Sequence, residues 1–274
     1  MNILGRLTSS RAGRGIAKKV NLDAILRPAC RWWRTLPRVV NLRPLGLSYK
    51  MRLNLQELSD IEWEFEHGER DFLAALKNHL CCGETALDIG AHFGEFSLPL
   101  AKILGERGRV LSFEPEKRNY QRLVYHVKLN ALTNVQLFRI ALGDKDEAGK
   151  IFFGGEFCPS IVPLEDDKIR RSVCENIEIV RGDTFFAREN LPIPHAVKVD
   201  VEGFEYAVLL GLRDTLANPI CRLVCVEIHP EVLPPGVGGE TITELLRSFG
   251  FGHFEAAQRD TEVHIVAAKP AHIP

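Results

Sequence analysis

The chain has 274 residues, 45% of them hydrophobic and 26% charged, which is typical of a globular protein with one large domain or two small ones. Its net charge of −1 gives no general attraction to nucleic acid, and no apolar run reaches the ~18 residues of a membrane-spanning helix. Seven cysteines without a Cys-x-x-Cys pair predict neither a disulfide framework nor a zinc site, and they indicate a reducing compartment such as the cytoplasm.

Positive charge is concentrated at the N-terminus. Residues 1–52 contain twelve Lys or Arg and a single acid, Asp23, so this segment carries +11 and the rest of the chain −12. We predict a basic N-terminal extension over 1–52 and a globular domain over 53–270. The extension could be a mobile arm, a targeting peptide or an interfacial helix anchored by Trp32 and Trp33, with peripheral membrane contact through residues 1–40. A basic start without a continuous apolar segment does not predict a signal peptide.

After residue 52 the apolar spacing becomes regular, and helices alternate with strands from 85 to 250. The predicted helices cover residues 60–80, 93–105, 116–132, 204–216 and 240–250. The predicted strands cover residues 85–90, 108–115, 134–144, 195–201 and 221–230, with strands and loops over 150–181 and two closing antiparallel strands over 251–257 and 263–269. This alternation predicts an α/β fold, a parallel sheet with helices on both faces.

The first strand is followed by a glycine-containing turn, LDIGAHFGEF, at residues 87–96. A glycine turn at this position lets a ligand approach the backbone, and Gly90 and Gly94 are the relevant pair. The dinucleotide pattern G-x-G-x-x-G would need glycines where the chain has His92 and Glu95. The turn therefore argues against NAD or FAD, because it lacks the bare loop that a pyrophosphate needs.

The second strand ends in the sequence SFEP, which places Glu114 24 residues after Gly90. A carboxylate there can accept hydrogen bonds from both hydroxyls of a ribose. The acids Asp88 and Glu95 make an anionic ligand still less suitable. A ligand with an adenosine, a positive charge and no phosphate fits this pattern, and S-adenosylmethionine has all three properties.

Four segments in order carry a family resemblance: LDIGAHFGEFSLPLAK, VLSFEPEKRNYQRLVYHVKLN, NVQLFRIALGD and VKVDVEGFEYAVLLG. They resemble the FkbM family of S-adenosylmethionine-dependent methyltransferases over residues 60–230. The resemblance implies a Rossmann-like class I methyltransferase domain over 53–270, with a mostly parallel seven-stranded sheet and an antiparallel C-terminal strand. It also implies O-methylation of a hydroxyl on a sugar or glycan, a polyketide or another small-molecule metabolite.

The same resemblance implies which residues bind the cofactor. Those that would contact its methionine part and ribose are Asp88, Gly90, Ala91, Gly94 and Glu114. Many class I enzymes hold adenine with an Asp seven residues after an Asn-Val pair, but seven residues after Asn134 the chain has Ala141. We therefore expect adenine to be held by the backbone near Ala141 and Leu142, or by Asp144.

The stretch HAVKVDVEGFEYAVLLGL at 195–212 turns from strand to helix and carries three carboxylates at the bend. Side chains alternate along a strand, so Lys198, Asp200 and Glu202 share one face at its open end. Methyl transfer to oxygen needs an aligned hydroxyl and a nearby base. Asp200 and Glu202 are candidates for that base, with Lys198 beside them.

His229 follows the next strand and is the preferred base, since histidine titrates nearest neutrality. Glu227 lies on the same strand face and could orient His229 or bind substrate. Glu205, near a helix N-terminus, could stabilise the helix dipole or take part in the site. His92 is expected to shape the glycine turn rather than to contact the cofactor.

Two alternatives remain open. Asp200, Glu202, Glu227 and His229 could hold a divalent cation in a metal-dependent O-methyltransferase. We expect no metal, because Lys198 on the same face could neutralise an acid instead. The chain could also be a membrane- or nucleic-acid-associated binding protein that uses the fold without catalysis, although a body of charge −12 argues against nucleic acid as a partner. The preferred prediction is an O-methyltransferase with a small-molecule or glycan acceptor.

Overall fold

The computed structural model describes residues 35–153, 173–259 and 261–270. The predictions about the basic segment before residue 35, including the interfacial helix with Trp32 and Trp33, lie outside the described residues. Within the described part of the chain, none of the helices combines the length and apolarity needed to cross a membrane.

The secondary structure alternates along the chain as the sequence predicts from residue 85 onward. The helices α1 to α8 are Leu55–His67, Arg70–His79, Ser97–Leu104, Lys117–Leu129, Gly182–Arg188, Glu205–Gly211, Arg213–Ala217 and Gly239–Ser248. The strands β1 to β12 are Arg38–Leu42, Tyr49–Leu53, Thr85–Ile89, Arg109–Phe113, Val135–Phe138, Ala141–Gly143, Glu147–Phe153, Val173–Arg181, Ala196–Val199, Leu223–Ile228, His253–Arg259 and Glu262–Ala268.

The main sheet has seven strands in the order β11-β12-β10-β9-β3-β4-β5. Strands β10, β9, β3, β4 and β5 pair in parallel, and β12 is antiparallel to both of its neighbours. Every position of β3, β9 and β10 is buried, as expected for strands covered by helices on both faces. The predicted α/β fold, with its mostly parallel seven-stranded sheet and antiparallel C-terminal strand, is confirmed.

Three predicted elements are each divided in two. The helix predicted over 60–80 is α1 and α2, because the chain leaves helical geometry at Gly68, with φ −125° and ψ −77°. The helix predicted over 204–216 is α6 and α7, which meet at Leu212. The strand predicted over 134–144 is β5, in the main sheet, and β6, which joins a separate three-stranded sheet with β7 and β8.

A hairpin of β1 and β2 packs against the domain. The inner side chains of β2, Tyr49, Met51 and Leu53, are at most 1% exposed and share a core cluster with Leu98 and Leu123. Apart from Leu53, the hairpin lies within residues 1–52, the stretch assigned to the basic extension, and the inner side chains of β2 are part of the core.

The hairpin is also fixed to α4 by polar contacts. Asn130 donates to the carbonyl of Lys50 at 2.7 Å and accepts from its N–H at 2.7 Å. The backbone N–H of Arg52 donates to Nε2 of His126 at 2.9 Å. These bonds pair an edge of β2 with side chains of α4 and hold the hairpin against the sheet.

Candidate active site

A cleft of about 610 Å³ opens where the carboxyl ends of β3, β4, β9 and β10 meet. Open parallel sheets bind ligands at this edge, and the volume is within the range of about 300–1,000 Å³ typical of ligand pockets. The predicted site residues that line it are Gly90, Ala91, Glu114, Ala141, Leu142, Lys198, Asp200, Glu202 and His229. Among the described lining residues, Asp88, Gly94 and Asp144 are not included.

Gly90 is needed for a contact within the protein. It has φ +76°, and a Cβ there would lie 1.7 Å from the backbone oxygen of Asp200. The turn after β3 therefore packs directly on the end of β9. Gly94 is likewise packed, since its missing Cβ would meet Leu123 at 3.0 Å. Both glycines were predicted for close ligand approach, and the structure shows that protein atoms occupy the space a side chain would need.

Asp88 lies behind the turn rather than at the cleft surface. Its side chain is fully buried and accepts a hydrogen bond from Ser97 Oγ at 2.5 Å. Its other oxygen, Oδ1, has no hydrogen-bond partner among the described residues. Burial raises the pKa of this carboxyl above its ordinary value. Asp88 therefore affects the cleft indirectly, because its carboxylate stabilises the ammonium of Lys198.

Glu114 is fixed at the rim of the same cleft. Its carboxylate accepts from the backbone N–H of His92 at 2.8 Å and from that of Glu116 at 2.9 Å. His92 has φ +49°, and its ring lies 3.1 Å from Glu95, so it shapes the turn and also lines the cleft. Burial raises the pKa of Glu114 to about 7.

The acidic bend after β9 is a compact, paired arrangement. The buried ammonium of Lys198 lies 2.8 Å from Oδ2 of Asp200. Burial alone would lower the pKa of Lys198, but Asp200 and Asp88 outweigh it and raise the pKa. The chain then reverses through Glu202 at φ +52° and Gly203 at φ +94°. Lys198 thus neutralises Asp200, as the sequence suggested it could.

His229 is held by Glu205. The fully buried Glu205 accepts from Nδ1 of His229 at 2.7 Å and from the backbone N–H of Gly203 at 2.9 Å. Nε2 of His229 faces Glu202 at 3.5 Å and Asp200 at 3.9 Å. Burial would lower the pKa of His229, but these carboxylates, Glu205 foremost, raise it to about 10. In the free protein the ring is therefore an imidazolium.

Two sequence expectations change here. Glu205, not Glu227, holds the ring of His229, and a role confined to the helix dipole does not describe it. Glu227 pairs instead with Nε2 of His264 at 3.0 Å. The expectation that His229 titrates near neutrality fails, because the sequence did not show that carboxylates face both of its ring nitrogens.

The sequence predicts that the helix at residues 60–80 caps the pocket, but it did not identify the individual side chains of this other wall of the cleft. Its residues come from α1, from the junction between α1 and α2, and from the β11–β12 hairpin: Trp63, Glu64, Glu69, Gln258, Arg259, Thr261, Glu262 and His264. The only signal was the acid-rich run EWEFEHGER at residues 62–70, which apolar spacing alone did not mark as part of a site. These residues are far from the glycine turn in sequence and meet it only in the fold.

The part of the cleft around Ala141 and Leu142 is apolar. Ala141 and Leu142 line it together with Ile140 and Phe113, whereas Asp144 is exposed outside it. Of the residues predicted to hold adenine, Ala141 and Leu142 line the cleft and Asp144 is not among its described lining residues.

The mostly parallel seven-stranded sheet, with a cleft at the carboxyl ends of its strands, is the Rossmann-like fold of class I S-adenosylmethionine-dependent methyltransferases. The chain belongs to the FkbM family, since the model described as Methyltransferase FkbM domain matches residues 88–251. The methyl donor is S-adenosylmethionine. Membership of an enzyme family favours a catalyst over a binding protein that uses the fold without catalysis.

The chain is also similar to several individual proteins. The chain is 28% identical over 201 residues to the hexuronic acid methyltransferase AglP of Haloferax volcanii, covering 72% of this chain and 76% of AglP. Among solved structures, it is similar to a SAM-dependent methyltransferase from Aquifex aeolicus, with TM-score 0.43, 15% identity and coverage of 77% of this chain and 96% of that one. It is also similar to Aeropyrum pernix fibrillarin with bound S-adenosyl-L-methionine, with TM-score 0.46, 15% identity and coverage of 73% and 74%.

Proposed function

We propose that the protein transfers a methyl group from S-adenosylmethionine to a hydroxyl of a sugar, in a glycan or another small-molecule metabolite. The observation that carries the proposal is the position of Asp200, Glu202 and His229, which line one cleft with the glycine turn and Glu114. The hexuronic acid methyltransferase among the relatives supports a sugar as the acceptor.

The residues of the cleft fit this donor. Glu114 would accept from the ribose hydroxyls, and the backbone at Ala141 and Leu142 would border the adenine. The bound donor supplies an electrophilic methyl group on a positively charged sulfur, which suits a cleft whose Lys198 is already paired with Asp200. A phosphate group would gain no cation there, because the ammonium of Lys198 is already paired with the carboxylate of Asp200.

The acceptor hydroxyl must lose a proton as the new C–O bond forms. His229 already carries a proton between Glu205 and Glu202, so a carboxylate is the better first acceptor. Burial raises the pKa of Glu202 above that of an ordinary glutamate, which makes it a stronger base. Glu202 or Asp200 would take the proton, and the imidazolium of His229 would keep both carboxylates in place.

A transfer assay tests the proposed function. Purified protein is incubated with methyl-labelled S-adenosylmethionine and a panel of sugars, glycolipids and polyketides, and labelled products are identified by mass spectrometry. We expect label on a sugar hydroxyl. Label found solely on nitrogen or carbon atoms, or failure of S-adenosylhomocysteine to bind at millimolar concentration in calorimetry, would refute the proposal.

Glu114 gives a prediction about pH and cofactor affinity. Since the pKa of Glu114 is about 7 in the free protein, it is mostly protonated at pH 6 and mostly ionised at pH 8. The ionised form accepts from both ribose hydroxyls, so affinity for S-adenosylhomocysteine should rise about tenfold from pH 6 to pH 8. Calorimetry at pH 6 and pH 8 measures this change in the affinity for S-adenosylhomocysteine.

Glu114→Gln isolates the contribution of that carboxylate. We expect binding about 10–100-fold weaker at pH 8, with a smaller dependence on pH, because one charged hydrogen-bond acceptor is lost. Asp144→Asn is the matched control, an acid-to-amide change outside the cleft, and should leave affinity unchanged. A full pH dependence in Glu114→Gln would assign the titration to another group.

A metal-dependent reaction is the second candidate. One ligand atom from each of Asp200, Glu202 and His229 lies within 4.8 Å of the others, and carboxylate oxygens suit magnesium or manganese. Lys198 already supplies a positive charge to Asp200, so we expect EDTA to leave the methylation rate within about twofold. A loss of activity in EDTA that added magnesium or manganese restores would make the reaction metal-dependent.

A further inference from the structure

The wall of the cleft formed by α1 carries an exposed aromatic ring. Trp63 is 53% exposed although it is the largest kind of apolar side chain, and it lies next to Glu64 in the same wall. Exposed tryptophan in a polar cleft provides a flat surface with apolar faces. The C–H face of a sugar ring packs on such a surface while its hydroxyl groups reach the surrounding polar atoms.

The cleft is strongly acidic. Nine carboxylate side chains line it, against Lys198 and Arg259 as permanent cations. Lys198 is paired with Asp200, and Arg259 with Asp71. The two histidines on the acceptor side are also paired, His229 with Glu205 and His264 with Glu227. An incoming carboxylate would have to displace one of these partners to gain a cation.

Two of the nine carboxylates stand in the same wall as Trp63. Desolvation in the cleft, and then the charge of Glu95, raise the pKa of Glu64 to about 7. Glu69 has its pKa raised by burial and by Glu227, and its Oε2 has no hydrogen-bond partner among the described residues. Both groups therefore gain from a hydrogen-bond donor or a positive charge, and both oppose another anion.

We propose that Trp63, Glu64 and Glu69 select the acceptor: a sugar ring without a carboxylate stacks on Trp63 and donates hydrogen bonds to Glu64 and Glu69. This rests on the proposed function, since it names the acceptor class for the same cleft. It also separates this chain from the relative AglP, which is named for a hexuronic acid. A hexuronate would place its charge beside Glu64, which is ionised at pH 8, and beside the unpartnered Oε2 of Glu69.

The test uses three matched sugars, the methyl glycosides of glucose, glucosamine and glucuronic acid. The chain has three tryptophans, so Trp32→Phe with Trp33→Phe leaves Trp63 as the sole tryptophan reporter. Fluorescence titration is carried out at pH 8, where Glu64 is ionised, with the protein saturated by S-adenosylhomocysteine. We expect the glucoside and glucosaminide to change the emission of Trp63, and the glucuronide to bind at least about tenfold more weakly.

Variants assign the selection to the named residues. In Glu64→Gln with Glu69→Gln, the gap between glucoside and glucuronide should shrink to about threefold or less, because the repelling charges are gone. Trp63→Ala should weaken glucoside binding at least about tenfold in saturation-transfer NMR, while Trp63→Phe should retain most of it. Calorimetry with S-adenosylhomocysteine shows whether each variant still folds around the cofactor.

Equal or tighter binding of the glucuronide would overturn the inference, as would an unchanged gap in the double Gln variant or no binding of any of the three sugars. These failures are distinct from failure of the proposed function. Methyl transfer to a glucuronide hydroxyl would leave O-methylation of sugars standing and would refute the charge selection alone.

Discussion

Replacing His229 by alanine is expected to slow methyl transfer by about 10²–10⁴-fold while leaving affinity for S-adenosylhomocysteine nearly unchanged. The imidazolium lies between the buried Glu205 and the carboxylates of Glu202 and Asp200, at 2.7, 3.5 and 3.9 Å. Its removal leaves Glu205 and Glu202 without a cation, since Lys198 is already paired with Asp200. The acceptor hydroxyl then meets carboxylates that are displaced or protonated, so the loss should fall on kcat.

Single-turnover kinetics with a methylated sugar product would separate the chemical step from binding. His253→Ala is the matched control, because His253 is on β11, is 45% exposed and pairs with Glu255 away from the cleft. That variant should keep wild-type turnover. Wild-type turnover in His229→Ala would remove His229 from the reaction, and a large loss of cofactor affinity would make it a binding residue.

Gly90→Ala is expected to lower the free energy of unfolding by on the order of 3–5 kcal/mol, a large effect for one methyl group. The new Cβ would lie 1.7 Å from the backbone oxygen of Asp200 and 2.9 Å from its carbonyl carbon. Neither atom is the end of a flexible side chain, so the turn after β3 and the end of β9 must separate. Chemical denaturation of the two proteins measures the difference.

Gly83→Ala separates this steric effect from backbone strain. Gly83 has φ +94°, which an alanine also adopts with difficulty, but nothing lies within 4 Å of its missing Cβ. We expect it to lose about 1–2 kcal/mol, the ordinary penalty for a left-handed alanine. An equal loss in the two variants would mean that strain alone accounts for Gly90. Gly90→Ala should additionally weaken cofactor binding, because Gly90 and Asp200 both line the cleft.

The parallel main sheet with helices on both faces followed from local patterns. Short apolar strands alternating with amphipathic helices have few ways to cover a parallel sheet, so the class of fold could be read from residues 85–250. The ends of the individual helices and strands were predicted less accurately than the class of fold. The break at Gly68 and the departure of β6 from the main sheet depend on what each segment packs against, which apolar spacing does not encode.

The donor half of the cleft was also accessible from sequence. Gly90, Glu114 and Asp200 follow successive strands of one sheet, and the carboxyl ends of parallel strands meet at the same edge. The partners of those residues were not accessible. Glu205 follows β9 and Glu227 lies near the end of β10, and the sequence does not show that His229 pairs with Glu205 and His264 with Glu227.

By itself the sequence determined the sheet, the phosphate-free character of the donor site and the acidic bend after β9, because each depends on residues adjacent in the chain or on consecutive strands. Tertiary structure alone decided that His229 pairs with Glu205 and which side chains of the 60–80 segment, Trp63, Glu64 and Glu69, form the opposite wall. The physical reason is the distance along the chain between the residues that determine each property. Strand and helix periodicity is set by neighbouring residues, whereas the pKa of a buried group and the shape of a cleft are set by side chains brought together from distant segments.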